Sequence, residues 1–195
     1  MIDDVVAAIK AGRSAIVPTD TVYGLVATPY REEPVARLYR LKGRDGVQPT
    51  ALVAADLELL FECVPELRGR AGRIAARLLP GPYTLILPNP AKRFRWLNGT
   101  TPDRIGVRVP LLDGDAKTVL DRVGALAATS ANLPGGPEAR RLDDVPEEFR
   151  SACAFLDGGE LPGVPSTVVD FTAAEPVVLR AGAGDVAAAL AAATD

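Results

Sequence analysis

Five short polar clusters punctuate an otherwise apolar chain, and their residue types set the chemistry open to it. They are Thr19-Asp20-Thr21 after Pro18, Lys42-Gly43-Arg44, Thr129-Ser130-Ala131-Asn132, Pro165-Ser166-Thr167 and Arg180-Ala181-Gly182. In the second cluster a planar guanidinium fork and a point-charge ammonium stand two positions apart across a glycine. Both can converge on one anion where a helix ends, a combination suited to a polyphosphate. Each cluster also has an ordinary structural reading. Thr19-Asp20-Thr21 can be an Asx or ST turn, Lys42 and Arg44 can be cations at a helix C-terminus, and Ser130 with Asn132 can be a cap. Ser166-Thr167 can be a turn before a strand, and Arg180 a solvated surface charge. Five such clusters at element ends favour a shared site over five coincidences.

The 195 residues include no histidine, which excludes Ser-His-Asp and Cys-His catalysis, His-ligated zinc and an imidazole base. The remaining chemistry must use carboxylates, Lys, Arg, hydroxyls and backbone dipoles. Cys63 and Cys153 have no CxxC partner or ligand neighbours and read as free thiols in a reducing compartment. No G-x-x-x-x-G-K-[ST] or GxGxxG loop occurs; Gly114-Asp115-Ala116-Lys117-Thr118 lacks the flanking glycines. The common nucleotide-binding loops are therefore absent.

The periodicity places the clusters on an alternation of helices and strands. Helices are expected from Asp3 to Gly12, Pro34 (at N1) to Gly43, Leu57 to Cys63, Arg68 to Leu79, Asp113 to Arg122, Pro146 to Arg150 and Gly184 to Ala193. Strands are expected at Ser14–Val17, Thr50–Ala54, Tyr83–Leu87, Ile105–Val109, Ala125–Thr129, Ala154–Asp157, Thr167–Phe171 and Val177–Leu179, with a Gly/Pro-rich loop over 130–142. Irregular alternation with short connections implies an α/β fold with a mixed sheet. Length and the lack of a linker imply a single domain spanning 1–195.

Net charge is −3 and unevenly spread: residues 60–110 carry nine Lys/Arg against three Asp/Glu, whereas 138–195 carry four against eleven. The basic stretch suggests an anionic partner or a solvated helix face. An acidic N-terminus without an apolar segment, and no apolar run near ~18 residues, imply a soluble cytoplasmic protein with no membrane partner.

Taken together, the chain resembles the YrdC/TsaC family, the threonylcarbamoyl-AMP synthases. The matching pieces, in the family's order, are Pro18-Thr19-Asp20-Thr21-Val22-Tyr23-Gly24-Leu25, Lys42-Gly43-Arg44, Gly81-Pro82-Tyr83-Thr84, Arg104-Ile105-Gly106-Val107-Arg108-Val109-Pro110, Ser130-Ala131-Asn132, Ser166-Thr167-Val168-Val169-Asp170, and Arg180 with Gly182. The chain resembles the short form, without the extra C-terminal domain of some relatives. The resemblance implies a twisted mixed sheet flanked by helices, with a large concave cavity for ATP and L-threonine. It implies catalysis by Lys42, Arg44, Ser130 and Asn132. It places Arg104 and Arg180 with those four around the nucleotide, and Thr21, Arg108 and Ser166 around threonine. It assigns no protein metal ligand, with Mg2+ accompanying ATP. The implied reaction joins ATP, L-threonine and bicarbonate, releases pyrophosphate, and begins N6-threonylcarbamoyladenosine formation in tRNA. Implied partners are a downstream tRNA threonylcarbamoyltransferase and RNA, double-stranded RNA included. The sequence departs from the family pattern at Asp45 and Gln48, where proline and then a basic residue usually stand. It departs again at Thr50, where leucine is common, and at Val53, where a threonine-holding histidine often stands. Two other readings fit the same residues: an RNA- or nucleotide-binding relative, or a carbamoyl-adenylate enzyme with a different substrate.

Overall fold

The computed structural model describes residues 1–43 and 48–194. In chain order its first elements are α1 (Ile2–Lys10), β1 (Ala15–Val17), β2 (Gly24–Ala27), α2 (Glu32–Leu41), β3 (Ala51–Ala54), α3 (Leu57–Cys63) and α4 (Gly69–Leu78). There follow β4 (Tyr83–Pro88), β5 (Arg104–Arg108), α5 (Gly114–Val123), β6 (Ala125–Ser130), α6 (Glu147–Ala152), β7 (Ala154–Phe155), β8 (Thr167–Asp170), β9 (Val177–Arg180) and α7 (Val186–Ala191). Local chemistry accounts for several boundaries. Asp3 and Asp4 sit in the first turn of α1 and Lys10 in its last, complementing the helix dipole. The Asp56 carboxylate accepts from the Leu59 N–H at 2.7 Å and starts α3, and the Asp185 carboxylate accepts from the Ala188 N–H at 3.0 Å and starts α7.

Two expectations are corrected. Helix α2 begins at Glu32, so Pro34 is its third residue; two glutamates take the first turn, and proline's missing N–H still falls among those with no intrahelical partner. Strand β2 has no counterpart in the sequence reading. Its four residues Gly-Leu-Val-Ala are all buried, so no apolar–polar alternation marks them.

The strands form one twisted mixed sheet in the order β7-β1-β2-β6-β3-β5-β4-β8-β9. Strands β1/β7, β3/β5 and β4/β8 pair in parallel, and the other neighbours pair antiparallel. The period-2 alternation of side chains divides the core into two. On one face Ile16, Leu25, Leu52, Ala54, Leu85, Leu87, Val107, Ala127 and Val169 pack against Leu38 of α2, Leu60 of α3, Ile74 and Leu78 of α4, Phe149 of α6 and Ala189 of α7. On the other face Val17, Val26, Val53 and Leu126 pack against Val5, Val6 and Ile9 of α1 and Val119 and Leu120 of α5. This second helical layer stops short. Among the described residues, α1 and α5 pack on the β1, β2, β3 and β6 part of this face and leave the β5, β4, β8 and β9 part without a helical cover. No helix among the described residues is long and apolar enough to cross a membrane.

Candidate functional site

This face of the sheet, from β2 across to β9, is the floor of a cavity of about 470 Å3. Strand register orders that floor. One row runs Leu126, Val53, Arg108 across β6, β3 and β5, through the pairs Leu126↔Val53 and Val53↔Arg108. Val168 and Arg180 are paired on β8 and β9, and Thr84 pairs with Val168. The next row holds Val26, Ala128 and Ala51, and farther on Gly106, Ile86 and Asp170. Its small residues leave the centre flat: a Cβ added at Gly106 would come no closer than 3.8 Å to Ala51 or Thr84.

Polar groups ring this floor. The turn between β1 and β2 brings up Thr19, Asp20 and Thr21. The Thr19 hydroxyl accepts from the Thr21 and Val22 N–H groups, each at 3.2 Å, and donates to the Val22 carbonyl at 2.6 Å. The expected ST turn is therefore present, and it also serves the site. Arg108 donates to the Thr21 hydroxyl at 2.9 Å and forms an ion pair with Asp20, whose other carboxylate oxygen accepts from the Leu111 N–H at 3.1 Å. At the far side Arg180 donates to the Ser166 carbonyl at 3.0 Å and to its hydroxyl at 3.1 Å, and that hydroxyl lies 2.9 Å from the Thr84 hydroxyl. Gly182 makes this shelf possible, since a Cβ there would meet the Pro165 carbonyl oxygen at 2.1 Å.

Burial pushes the Arg180 guanidinium below its usual range; Glu138 opposes the shift and the neighbouring positive charge of Arg108 adds to it. The two arginines thus face the same space. The Arg108 Nε–H, the Thr50 hydroxyl and the Asn98 amide oxygen are buried with no partner among the described residues, and all three residues line the cavity. Unpaired buried polar groups are costly in a native fold, and a polar ligand would satisfy them.

The sequence-derived candidates divide into groups. Thr21, Arg104, Arg108, Ser130, Ser166 and Arg180 all line the cavity. Lys42 and Asn132 stand behind it. The Lys42 side chain is buried to 1% exposure, and its ammonium donates to the Ser130 carbonyl at 2.7 Å, to the Asn132 carbonyl, and to the Asn132 amide oxygen at 3.1 Å. Asn132 in turn accepts from the Ser130 hydroxyl at 2.6 Å and donates to the Gly136 carbonyl at 2.8 Å. Arg44 lies outside the described residues. Arg104 reaches the cavity but is ion-paired to Asp170 at 2.9 Å. Sequence reasoning missed Asp20, Thr50 and Asn98 as site residues. Asp20 carried a signal as the carboxylate within a cluster already singled out, and Thr50 as a departure from the family pattern.

No group of three or more His, Cys, Asp or Glu side chains among the described residues could hold a metal ion. Asp20 and Asp170 are both engaged by arginines, so the donor set does not fit a protein-held magnesium. Cys63 and Cys153 are free thiols, and burial raises the Cys153 thiol to about 11.

A sheet face ringed by arginines and hydroxyls marks an α/β protein with an open, polar-rimmed cavity. The Sua5/YciO/YrdC family profile, which bears the description "Telomere recombination", matches residues 7–182, and the chain belongs to that family. A threonylcarbamoyl-AMP synthase of Pyrococcus abyssi is 36% identical over 176 residues, covering 89% of this chain and 52% of that protein. The chain therefore spans about half the length of that relative. A threonylcarbamoyl-AMP synthase of Pseudomonas syringae is 35% identical, covering 89% of this chain and 93% of that one. The structure of P. abyssi Sua5 complexed with L-threonine superposes with a TM-score of 0.82 at 35% identity, covering 93% of this chain and 54% of the other.

Proposed function

We propose that this chain is an L-threonylcarbamoyladenylate synthase, acting at the first step of N6-threonylcarbamoyladenosine formation in tRNA. The observation that carries this reading is the facing pair Arg108 and Arg180. Both line the cavity with the Thr84–Ser166 shelf, the Arg108 Nε–H has no partner among the described residues, and Gly106, Ala51 and Ala128 keep the floor low. Two guanidiniums suit a carboxylate and a phosphate held side by side, and a flat floor suits a purine. Relatives of the same family named for this activity support the assignment of both ligands.

In this reading Arg108, with Thr21 and Ser166, holds the amino-acid carboxylate. Ser130, Arg104 and Arg180 meet the nucleotide, and Thr50 and Asn98 offer it hydrogen bonds. Lys42 holds the Ser130–Asn132 turn in place, and Arg44 supplies a phosphate contact. The amine of threonine combines with bicarbonate to give a carbamate and water. A carbamate oxygen then attacks the α-phosphorus of ATP, forming one P–O bond as the α–β anhydride bond breaks and pyrophosphate leaves. Such a step rests on alignment and charge neutralisation rather than on a strong base, which a chain without histidine can supply. Magnesium enters as part of the substrate, bound to the triphosphate. The mixed anhydride product is labile and calls for a cytoplasmic transferase that passes the threonylcarbamoyl group to tRNA.

Direct binding of double-stranded RNA draws less support. Of the nine basic residues between 60 and 110, Arg68, Arg70 and Arg77 donate to backbone carbonyls, and Arg93, Arg104 and Arg108 pair with carboxylates. Arg73, Lys92 and Arg95 are the remaining exposed cations of that stretch. The test is pyrophosphate release with ATP, magnesium and bicarbonate, with and without L-threonine. Release that needs both threonine and bicarbonate supports the synthase. Release with bicarbonate alone points to another carbamoyl-adenylate reaction, and salt-dependent RNA binding without release points to a binding protein.

A further inference from the structure

Tyr23 stands beside the site but faces away from it. Val22 and Gly24 line the cavity, whereas the Tyr23 side chain, 0% exposed, belongs to the core on the opposite face of the sheet. There its hydroxyl meets the start of a strap, residues 157–165, which has neither helix nor strand and leads from β7 to Ser166 and β8. The hydroxyl donates to Asp157 Oδ1 at 3.1 Å or to the Gly159 carbonyl at 3.0 Å, and it accepts from the Gly158 N–H at 2.9 Å. The Gly159 N–H donates to the same Asp157 oxygen at 2.9 Å. Gly158 lies so close to Pro18 that a Cβ there would stand 2.6 Å from the proline ring. Farther along, the Gly163 N–H donates to the Thr21 carbonyl at 2.9 Å. The strap ends at Ser166, whose carbonyl and hydroxyl accept from Arg180. The main chain of Tyr23 makes a separate connection: its N–H donates to the Ala139 carbonyl at 3.0 Å, and its carbonyl accepts from the Ala131 N–H at 2.8 Å.

We infer that Tyr23 is a positioning residue for the site, its buried hydroxyl fixing the strap and, through the strap, the placement of Thr21 and Ser166; which ligand those two residues hold, the amino acid, rests on the synthase reading. The strap itself offers little resistance to movement, with glycine at 158, 159 and 163. Its charged anchors, the pairs of Glu160 with Arg140 and Arg141, are solvent-exposed, where ion pairs contribute little. The Tyr23 junction is buried, where hydrogen bonds are stronger and a lost partner costs more. Burial pushes the phenol above its usual range, opposed by the Gly158 N–H and aided by the Asp157 carboxylate, so the hydroxyl remains a donor at neutral pH. Removing the hydroxyl alone separates the two connections. The strap is released, while the main-chain bonds to Ala131 and Ala139 still hold the loop that carries Ser130 and Asn132.

The experiment is Tyr23→Phe, which keeps the ring in the core, with steady-state kinetics of pyrophosphate release measured beside amide hydrogen exchange. The KM for threonine should rise roughly 10-fold, with kcat and the KM for ATP within ~3-fold of wild type. The Gly158 and Gly163 amides should exchange about 10-fold faster or more, while the Tyr23 and Ala131 amides keep their protection. A tyrosine that only fills the core would lower stability and move neither the KM split nor this exchange pattern. A threonine KM within ~3-fold of wild type in folded protein, or a fall in kcat with both KM values unchanged, overturns the inference. Should the wild-type protein release no pyrophosphate with threonine, the synthase reading fails and exchange decides alone: faster exchange at Gly163 supports the positioning role, and unchanged exchange overturns it. Should Tyr23→Phe not fold, Asp157→Ala opens the same junction from its exposed side. A higher threonine KM with faster Gly163 exchange then supports the role, and wild-type values overturn it.

Discussion

Replacing Lys42 with methionine keeps the length of the side chain and removes its charge and the hydrogen bonds it donates to Ser130 and Asn132. In the structure those bonds run to the Ser130 carbonyl, the Asn132 carbonyl and the Asn132 amide oxygen, all from a side chain with 1% exposure. Each hydrogen bond to a charged group contributes about 1.5–3 kcal/mol, so three would sum to more than 4 kcal/mol. The buried ammonium costs several kcal/mol in desolvation, which methionine does not incur. Unsatisfied carbonyls then decide the balance, at about 1–3 kcal/mol each, with partial relief from water entering the cavity. The expected net loss is about 3 kcal/mol, a fall in melting temperature of roughly 6–12 °C for a chain of this size. Pyrophosphate release should fall with it, because Ser130 and Asn132 lose their anchor. Chemical denaturation followed by circular dichroism measures the first, and a coupled pyrophosphate assay the second. A Lys42→Met protein within ~1 kcal/mol of wild type would refute the anchoring role. If its activity were nonetheless lost, the ammonium would be acting on the nucleotide itself.

Three further outcomes follow from the same geometry. Arg108→Lys keeps the charge but loses the fork that engages Asp20 and Thr21 while presenting a free N–H; the amino-acid KM should rise about 10-fold or more, with the ATP KM nearly constant in steady-state kinetics. Gly182→Ala places a Cβ 2.1 Å from the Pro165 carbonyl oxygen, a backbone atom that cannot rotate away, so thermal unfolding should show a loss of about 3 kcal/mol together with weakened nucleotide binding. Burial raises the Cys153 thiol from 9.0 to about 11, so the folded state favours its neutral form. That contribution is complete below pH 9 and is lost as pH rises toward 11, and Cys153→Ala should flatten this part of the stability–pH curve, while native Cys153 should react slowly with thiol reagents at pH 8.

Much of the frame was legible because local rules govern it. Prolines at 18, 88 and 110 marked the ends of β1, β4 and β5. Strand β2 was lost because both of its faces are buried, leaving nothing periodic to see. The site was legible as clusters but not as contacts. Asp20 and Arg108 lie 88 residues apart, and Lys42 and Asn132 lie 90 apart, so only the crossing of strands in the sheet brings each pair together. One available signal went unread. In Arg104-Ile-Gly-Val-Arg108 the two arginines and the glycine share one face at period 2, while Ile105 and Val107 share the other. That pattern alone marks a strand with one face on the core and the other on a polar cavity.

The incomplete helical layer explains why a site without histidine takes this form. Arg108 is buried, and its charge is met by the Asp20 carboxylate, as a buried charge requires. Arg180, on β9 at the open side, stays exposed and needs only the Ser166 carbonyl and hydroxyl. Partial burial of its guanidinium is the main cause of the lowered Arg180, with a smaller contribution from the positive charge of Arg108, and an anion bound in the cavity would offset both. The same boundary makes the two ends of the cavity different. Where α5 still covers the sheet, the lining is Val53, Leu126 and Leu120; where it does not, the lining is Thr84, Ser166 and Arg180. One edge of one helix thus separates the apolar end of the cavity from its charged end.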